Sequence, residues 1–139
     1  MPRRILVPID DSEMGERALE YALDAHPDAE ITVLHVVGEP SPMMGEAVSL
    51  ALEDDIEDVA EEHAAAILER ARDIAAAHDT EVSTDVGWGN PAKVIVDRAE
   101  NFDTVVIGTH GGSVVDRLFV GNVAKKVFRH CPVPVTVVR

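Results

Sequence analysis

Between an apolar run and an amphipathic one, the stretch Ile107 to Val123, IGTHGGSVVDRLFVGNV, holds four glycines, of which Gly108, Gly111 and Gly121 are spaced with gaps of two and nine residues. A glycine has no Cβ to hold an anion away from neighbouring backbone N–H groups, so this spacing suits phosphate. Asn122 is placed to cap a following helix, whose unpaired first-turn N–H groups and dipole also favour anions. The local charge agrees. From His110 to Arg139 the one carboxylate side chain is Asp116, against Arg117, Lys125, Lys126, Arg129 and Arg139, whereas no Lys or Arg lies between Ala18 and Glu69. The same residues have a plainer reading, in which Gly108 and Gly111 shape a strand-to-helix turn and Gly121 eases helix packing. Thr109 and Ser113 then satisfy backbone groups of the turn, and His110 is a hydrogen-bonding loop residue rather than a catalyst.

The rest of the chain must position that stretch. Ile5 to Ile9 is a continuous apolar run and predicts a strand buried on both faces, with Pro8 where the strand leaves its neighbours and a crevice begins. Ser12 caps a helix with Met14, Ala18, Ala22 and Ala25 at helical spacing, ending at His26-Pro27. Ile31 to Val37 is a second strand, and Gly38 to Ser49 a loop able to cover a site. A long helix follows, in which Leu52, Ile56, Val59, His63, Ile67, Ala71, Ile74 and His78 recur by three and four, with His63 and His78 at the apolar margin as packed or hydrogen-bonded residues rather than ligands and the many acids as a solvated face. Glu81 to Val86 is a third strand, turned by Gly87, Trp88 and Gly89. Asn90 caps a helix that has Pro91 in its first position and runs to about Glu100. Thr104 to Ile107 delivers the chain into the glycine stretch, a helix runs from Asn122 to about His130, and Val133 to Val138 closes the chain as an edge strand because Pro134 lies within it. The alternation predicts one α/β domain over residues 1–139, a three-layer open parallel sheet of five strands with helices on both faces. In such sheets ligands bind beyond the carboxyl ends of the strands, where the strand order reverses.

Composition narrows the partners. A net charge of −14 in 139 residues argues against non-specific binding to nucleic acid or to an anionic membrane, both of which need a cationic surface. Cys131 is the one cysteine, which excludes a disulfide framework and a cysteine metal cluster. No apolar run approaches a membrane span, and the expected location is the cytoplasm.

The glycine spacing after Val105-Val106-Ile107 joins four further fragments: Leu6-Val7-Pro8-Ile9-Asp10-Asp11-Ser12, Leu34-His35-Val36, Gly89-Asn90-Pro91 and Pro132-Val133-Pro134-Val135. Together, in this order, they resemble the universal stress protein family, and the resemblance covers nearly the whole chain. It implies an adenine nucleotide α-hydrolase-like, Rossmann-like fold with strand order 3-2-1-4-5, homodimers joined through the last strand (Val133 to Val138), and, in the ATP-binding branch, ATP with Mg2+. The family pattern puts adenine against Pro8, Ile9 and Val36, and Asp10 near the ribose or a nucleotide-bound Mg2+. Ile107, Gly108, His110, Gly111, Gly121, Asn122 and Val123 then surround the remainder of the nucleotide. The ATP-binding pattern has Ser or Thr after its last glycine where this chain has Asn122, which keeps a capping oxygen and adds an NH2 donor.

No nucleophile is paired with a base, no Walker A glycine-lysine pair is present, and no Arg is placed by motif against a transferring phosphoryl group. The expectation is therefore a nucleotide-dependent stress-response binding module with no catalytic residues, slow ATP hydrolysis being possible but not indicated. The alternative is a dimeric protein of the same fold that binds no nucleotide and works through a partner. A receiver domain fails for want of an acceptor Asp ending the third strand and a Lys after the last full one. A NAD-binding domain fails because Asp10-Asp11-Ser12 stands where its glycine fingerprint belongs.

Overall fold

The computed structural model describes residues 3–10, 12–38, 53–109 and 123–139. Strands β1 (Arg4–Ile9), β2 (Glu30–Val37), β3 (Ser83–Trp88), β4 (Thr104–Gly108) and β5 (Val135–Val138) form a parallel sheet in the order β3-β2-β1-β4-β5. Helices α1 (Glu13–Ala25), α2 (Glu53–Ala77), α3 (Pro91–Ala99) and α4 (123–130) link them. The predicted three-layer sheet of five strands, order 3-2-1-4-5, is the architecture observed.

Each central strand divides its side chains between two cores, as a period of two requires. Ile5, Val7 and Ile9 of β1 join Val33 and Val106 beneath α1 and α2, whose Leu19, Leu23, Ile67 and Leu68 cover them. Leu6, Leu34, Val105 and Ile107 face the other way, onto Ile95 and Ala99 of α3 and Val127 of α4. β1 is paired with β2 from Arg4 to Ile9, but with β4 only at Ile5 and Leu6. Pro8, which carries no N–H, lies beyond the β4 ladder, and there the sheet parts between β1 and β4.

Local signals read as expected at several boundaries. The Ser12 hydroxyl accepts from the Gly15 N–H and caps α1, and Asn90 Oδ1 accepts from the Lys93 N–H with Pro91 opening α3. Pro134 precedes an edge strand, its carbonyl taking both the Val105 N–H and the Thr104 hydroxyl.

Other expectations are corrected. β3 does not end at Val86. Gly87 and Trp88 stay in the strand against Val36 and Val37, and the turn falls on Gly89 at φ +120°. Gly87 marks a close approach rather than a turn, because a Cβ there would come within 2.6 Å of Val94 Cγ1. On α2 the buried face is Ala64, Ile67, Leu68, Ala71 and Ala75, while Val59 and His63 are exposed. Small alanines let the helix lie close to the sheet, and they outweigh the larger residues that define the apolar period. Ala25 is exposed, and Leu19 and Leu23 carry that packing on α1. β5 begins at Val135, two residues later than expected.

Candidate functional site

Where β1 and β4 part, a cavity of about 150 Å³ opens at the carboxyl end of the sheet. Seven of the residues singled out from sequence line it: Pro8, Ile9 and Asp10 leaving β1, Val36 on β2, Ile107 and Gly108 ending β4, and Val123 opening α4. The four others, His110, Gly111, Gly121 and Asn122, lie outside the described residues, as does most of the expected covering loop. The lining also includes Ser12 and Gly15 from the start of α1, Leu34 from β2, and Pro91 and Ile95 from α3. None of these five was assigned to the site from sequence. Their spacing signalled helix caps and core positions, and only the crossovers bring them to the strand ends.

The wall is mostly aliphatic, and the volume matches that of an engineered apolar cavity, about 150 Å³, known to accept one benzene-sized ring. It suits a planar base rather than a whole nucleotide, since complete small-molecule pockets run to about 300 Å³ or more. Asp10 supplies a charge at this wall. Its Oδ1 accepts from the Ser12 backbone N–H at 2.9 Å and from the Ser12 hydroxyl. The preceding residue is fixed independently: His35, buried on β2, donates its Nδ1–H to the Ile9 carbonyl at 3.0 Å. This bond satisfies a buried acceptor at the point where β1 leaves the sheet. Replacing His35 by Ala would remove this bond and the buried ring while Ile9 stays paired in the β1–β2 ladder, and a stability loss of about 1–3 kcal/mol in urea unfolding is the expected result. A midpoint equal to the parent's would show that water takes over the bond.

Gly108 is explained by packing. A Cβ built on it would lie 2.4 Å from the Met14 carbonyl oxygen, so the missing side chain makes room for the first turn of α1. Thr109 is also committed, its N–H donating to the Val138 carbonyl at 2.9 Å and its hydroxyl to the same oxygen at 3.3 Å. Thr109 therefore bonds to the end of β5 rather than to a backbone group of the turn expected for it. Among the described residues no three His, Cys, Asp or Glu side chains are grouped to hold a metal. Among the described lining residues Asp10 is the one carboxylate, a donor set suited to a largely hydrated Mg2+ rather than to a protein-built metal cage. Also among the described residues, no helix is long and apolar enough to cross a membrane.

Comparison with known proteins places this geometry. The chain is 30% identical over 137 residues to a universal stress protein of Methanocaldococcus jannaschii, an alignment spanning 94% of this chain and 79% of that protein. Its fold is similar to that of the universal stress protein UspA from Lactobacillus plantarum, with a TM-score of 0.77, 27% identity and coverage of 99% and 97% of the two chains. It is also similar in fold to an Arabidopsis thaliana universal stress protein family member solved with AMP bound, with a TM-score of 0.73, 19% identity and coverage of 99% and 91%. The universal stress protein family description matches residues 1–139 without a break, and the chain belongs to that family.

Proposed function

We propose that this protein binds ATP with Mg2+ at the carboxyl end of its sheet and acts as a nucleotide-dependent binding module in a stress response, without being an enzyme. The observation that carries the reading is the base-sized apolar cavity with one fixed carboxylate on its wall, at the place where the strand order reverses. In this reading Pro8, Ile9 and Val36 hold the adenine end, Asp10 faces the ribose or the nucleotide-bound Mg2+, and Ile107 and Val123 border the remainder of the nucleotide. His110, Gly111, Gly121 and Asn122 take the phosphates together with the backbone at Gly108. AMP in the Arabidopsis neighbour supports an adenine nucleotide at the level of the fold. Mg2+ would supply charge neutralisation for the phosphates in a protein of net charge −14.

Thermal unfolding tests this. A ligand at a hundredfold excess over its Kd adds about 2.7 kcal/mol to the native state, which for a chain of this length is a rise of roughly 5–10 °C in Tm. The expected order is ATP with Mg2+ above AMP, and AMP above no ligand. No shift at millimolar ATP would favour a second reading, a protein of this fold that works through partner contacts alone. One observation already favours it: the glycine at 108 is accounted for by Met14, with no ligand needed.

Either reading includes a cytoplasmic homodimer. β5 is paired on one side, by β4, and stands at the edge of the sheet with Val137 exposed. An apolar edge is an aggregation hazard that an antiparallel copy of itself would cover. Sedimentation at micromolar concentration is expected to give a dimer for the parent and a monomer for Val137→Lys, and a monomeric parent would remove the dimer from the reading.

A further inference from the structure

We infer that Ser12 is a positioning residue, holding the Asp10 carboxylate in one orientation at the wall of the cavity while it caps α1. This deepens the nucleotide-binding reading and rests on it for its ligand. The directions of the bonds are determined by what each group can do. The Gly15 N–H can only donate, and it gives its proton to Ser12 Oγ at 3.3 Å. An ionised Asp10 can only accept. The hydroxyl proton of Ser12 therefore points at Asp10 Oδ1, which also takes the Ser12 backbone N–H at 2.9 Å. A short relay runs from the first turn of α1, through one hydroxyl, to one carboxylate oxygen. Both residues line the cavity, yet the strong bonding capacity of the hydroxyl is spent within the protein.

The base of the relay is rigid. Gly15 lies so close to β1 that a Cβ on it would be 3.3 Å from both Ile9 Cβ and the Asp10 nitrogen, and the Ile9 carbonyl is held by His35. Gly15 and His35 thus fix the main chain at Ile9 and Asp10, and Ser12 restrains the Asp10 side chain. A carboxylate ordered before the ligand arrives loses less rotamer freedom on binding, which is how Ser12 raises affinity through Asp10.

Capping and positioning can be separated by substitution. Threonine keeps the hydroxyl and both roles, whereas glycine is a tolerable N-cap that removes the hydroxyl without adding charge. Two measurements are needed on the full chain: the affinity for ATP with Mg2+ by calorimetry, and the Asp10 χ1 rotamer from Hα–Hβ couplings without ligand. Ser12→Thr is expected to match the parent in both. Ser12→Gly keeps the residue-12 backbone N–H on Asp10 Oδ1 and loses only the hydroxyl; it is expected to stay folded with a Tm near the parent's, to show a partly averaged χ1 at Asp10, and to bind ATP about tenfold more weakly. A single unchanged rotamer in Ser12→Gly overturns the inference, whatever happens to affinity, since Ser12 would then not be what orders Asp10. An averaged rotamer with unchanged affinity overturns it too. Should the parent bind no nucleotide while χ1 becomes averaged in Ser12→Gly, the nucleotide reading fails and the control of Asp10 by Ser12 stands.

Discussion

Gly108→Val is expected to be the most damaging single substitution at the site, lowering stability by about 3 kcal/mol or more. The first carbon of any side chain at 108 would sit 2.4 Å from the Met14 carbonyl oxygen and 2.9 Å from the carbonyl carbon. These are backbone atoms inside a helix and cannot rotate away. Relief requires α1 to lift from β4, but α1 is also seated on β1 through Gly15, and its Leu19 and Ala22 are fully buried in the core beneath. The strain is therefore shared with a core already packed at high density. Since a domain of this kind is stable by only about 5–15 kcal/mol, the variant forfeits a large share of the total. Urea unfolding measures it, and Gly38→Ala is the control: nothing lies within 4 Å of a Cβ at 38, so that change is expected to stay within about 0.5 kcal/mol of the parent or stabilise slightly. If Gly108→Ala unfolds at the parental midpoint, α1 is more loosely seated than these distances imply.

Gly108 also shows how much of the site could be read from sequence. Its position was legible, because a glycine ending an apolar run at the carboxyl edge of a parallel sheet has few places to be. Its reason was not, because the atom that forbids a side chain belongs to Met14, far away in the chain. The same division holds elsewhere. Caps at Ser12 and Asn90, and the proline opening α3, are short-range features with short-range signals, and they were read correctly. Five cavity residues, Ser12, Gly15, Leu34, Pro91 and Ile95, escaped assignment because three separate elements bring them together. The inward face of α2 is misread at Val59 because periodicity weighs residue size, whereas close packing of a helix on a sheet also selects alanines at 64 and 75. The order of the strands came from the family resemblance and not from periodicity, which fixes what each element is but not its neighbours.

Filling the cavity separates binding from stability more cleanly than any deletion, and Val36→Phe is expected to raise the Kd for ATP by about 100-fold or more while leaving Tm in the absence of ligand unchanged or higher. Val36 is half-buried on the cavity wall, on the strand whose neighbour Leu34 lies in the same core. A phenyl ring is about the size that a cavity of about 150 Å³ accepts, so the new side chain takes the place proposed for the base. It also gains apolar contact that valine lacks, which offsets the rotamer freedom it loses. A 100-fold weaker Kd corresponds to about 2.7 kcal/mol, so most of the ligand-induced rise in Tm disappears at an ATP concentration that saturates the parent. The opposite signs make the result hard to mimic: misfolding lowers both stability and affinity, whereas occupation of the base site lowers affinity alone. Parental ATP affinity in a folded Val36→Phe protein would put the base outside this cavity, and the seven residues that meet there would then be a structural junction between β1 and β4 rather than a binding site.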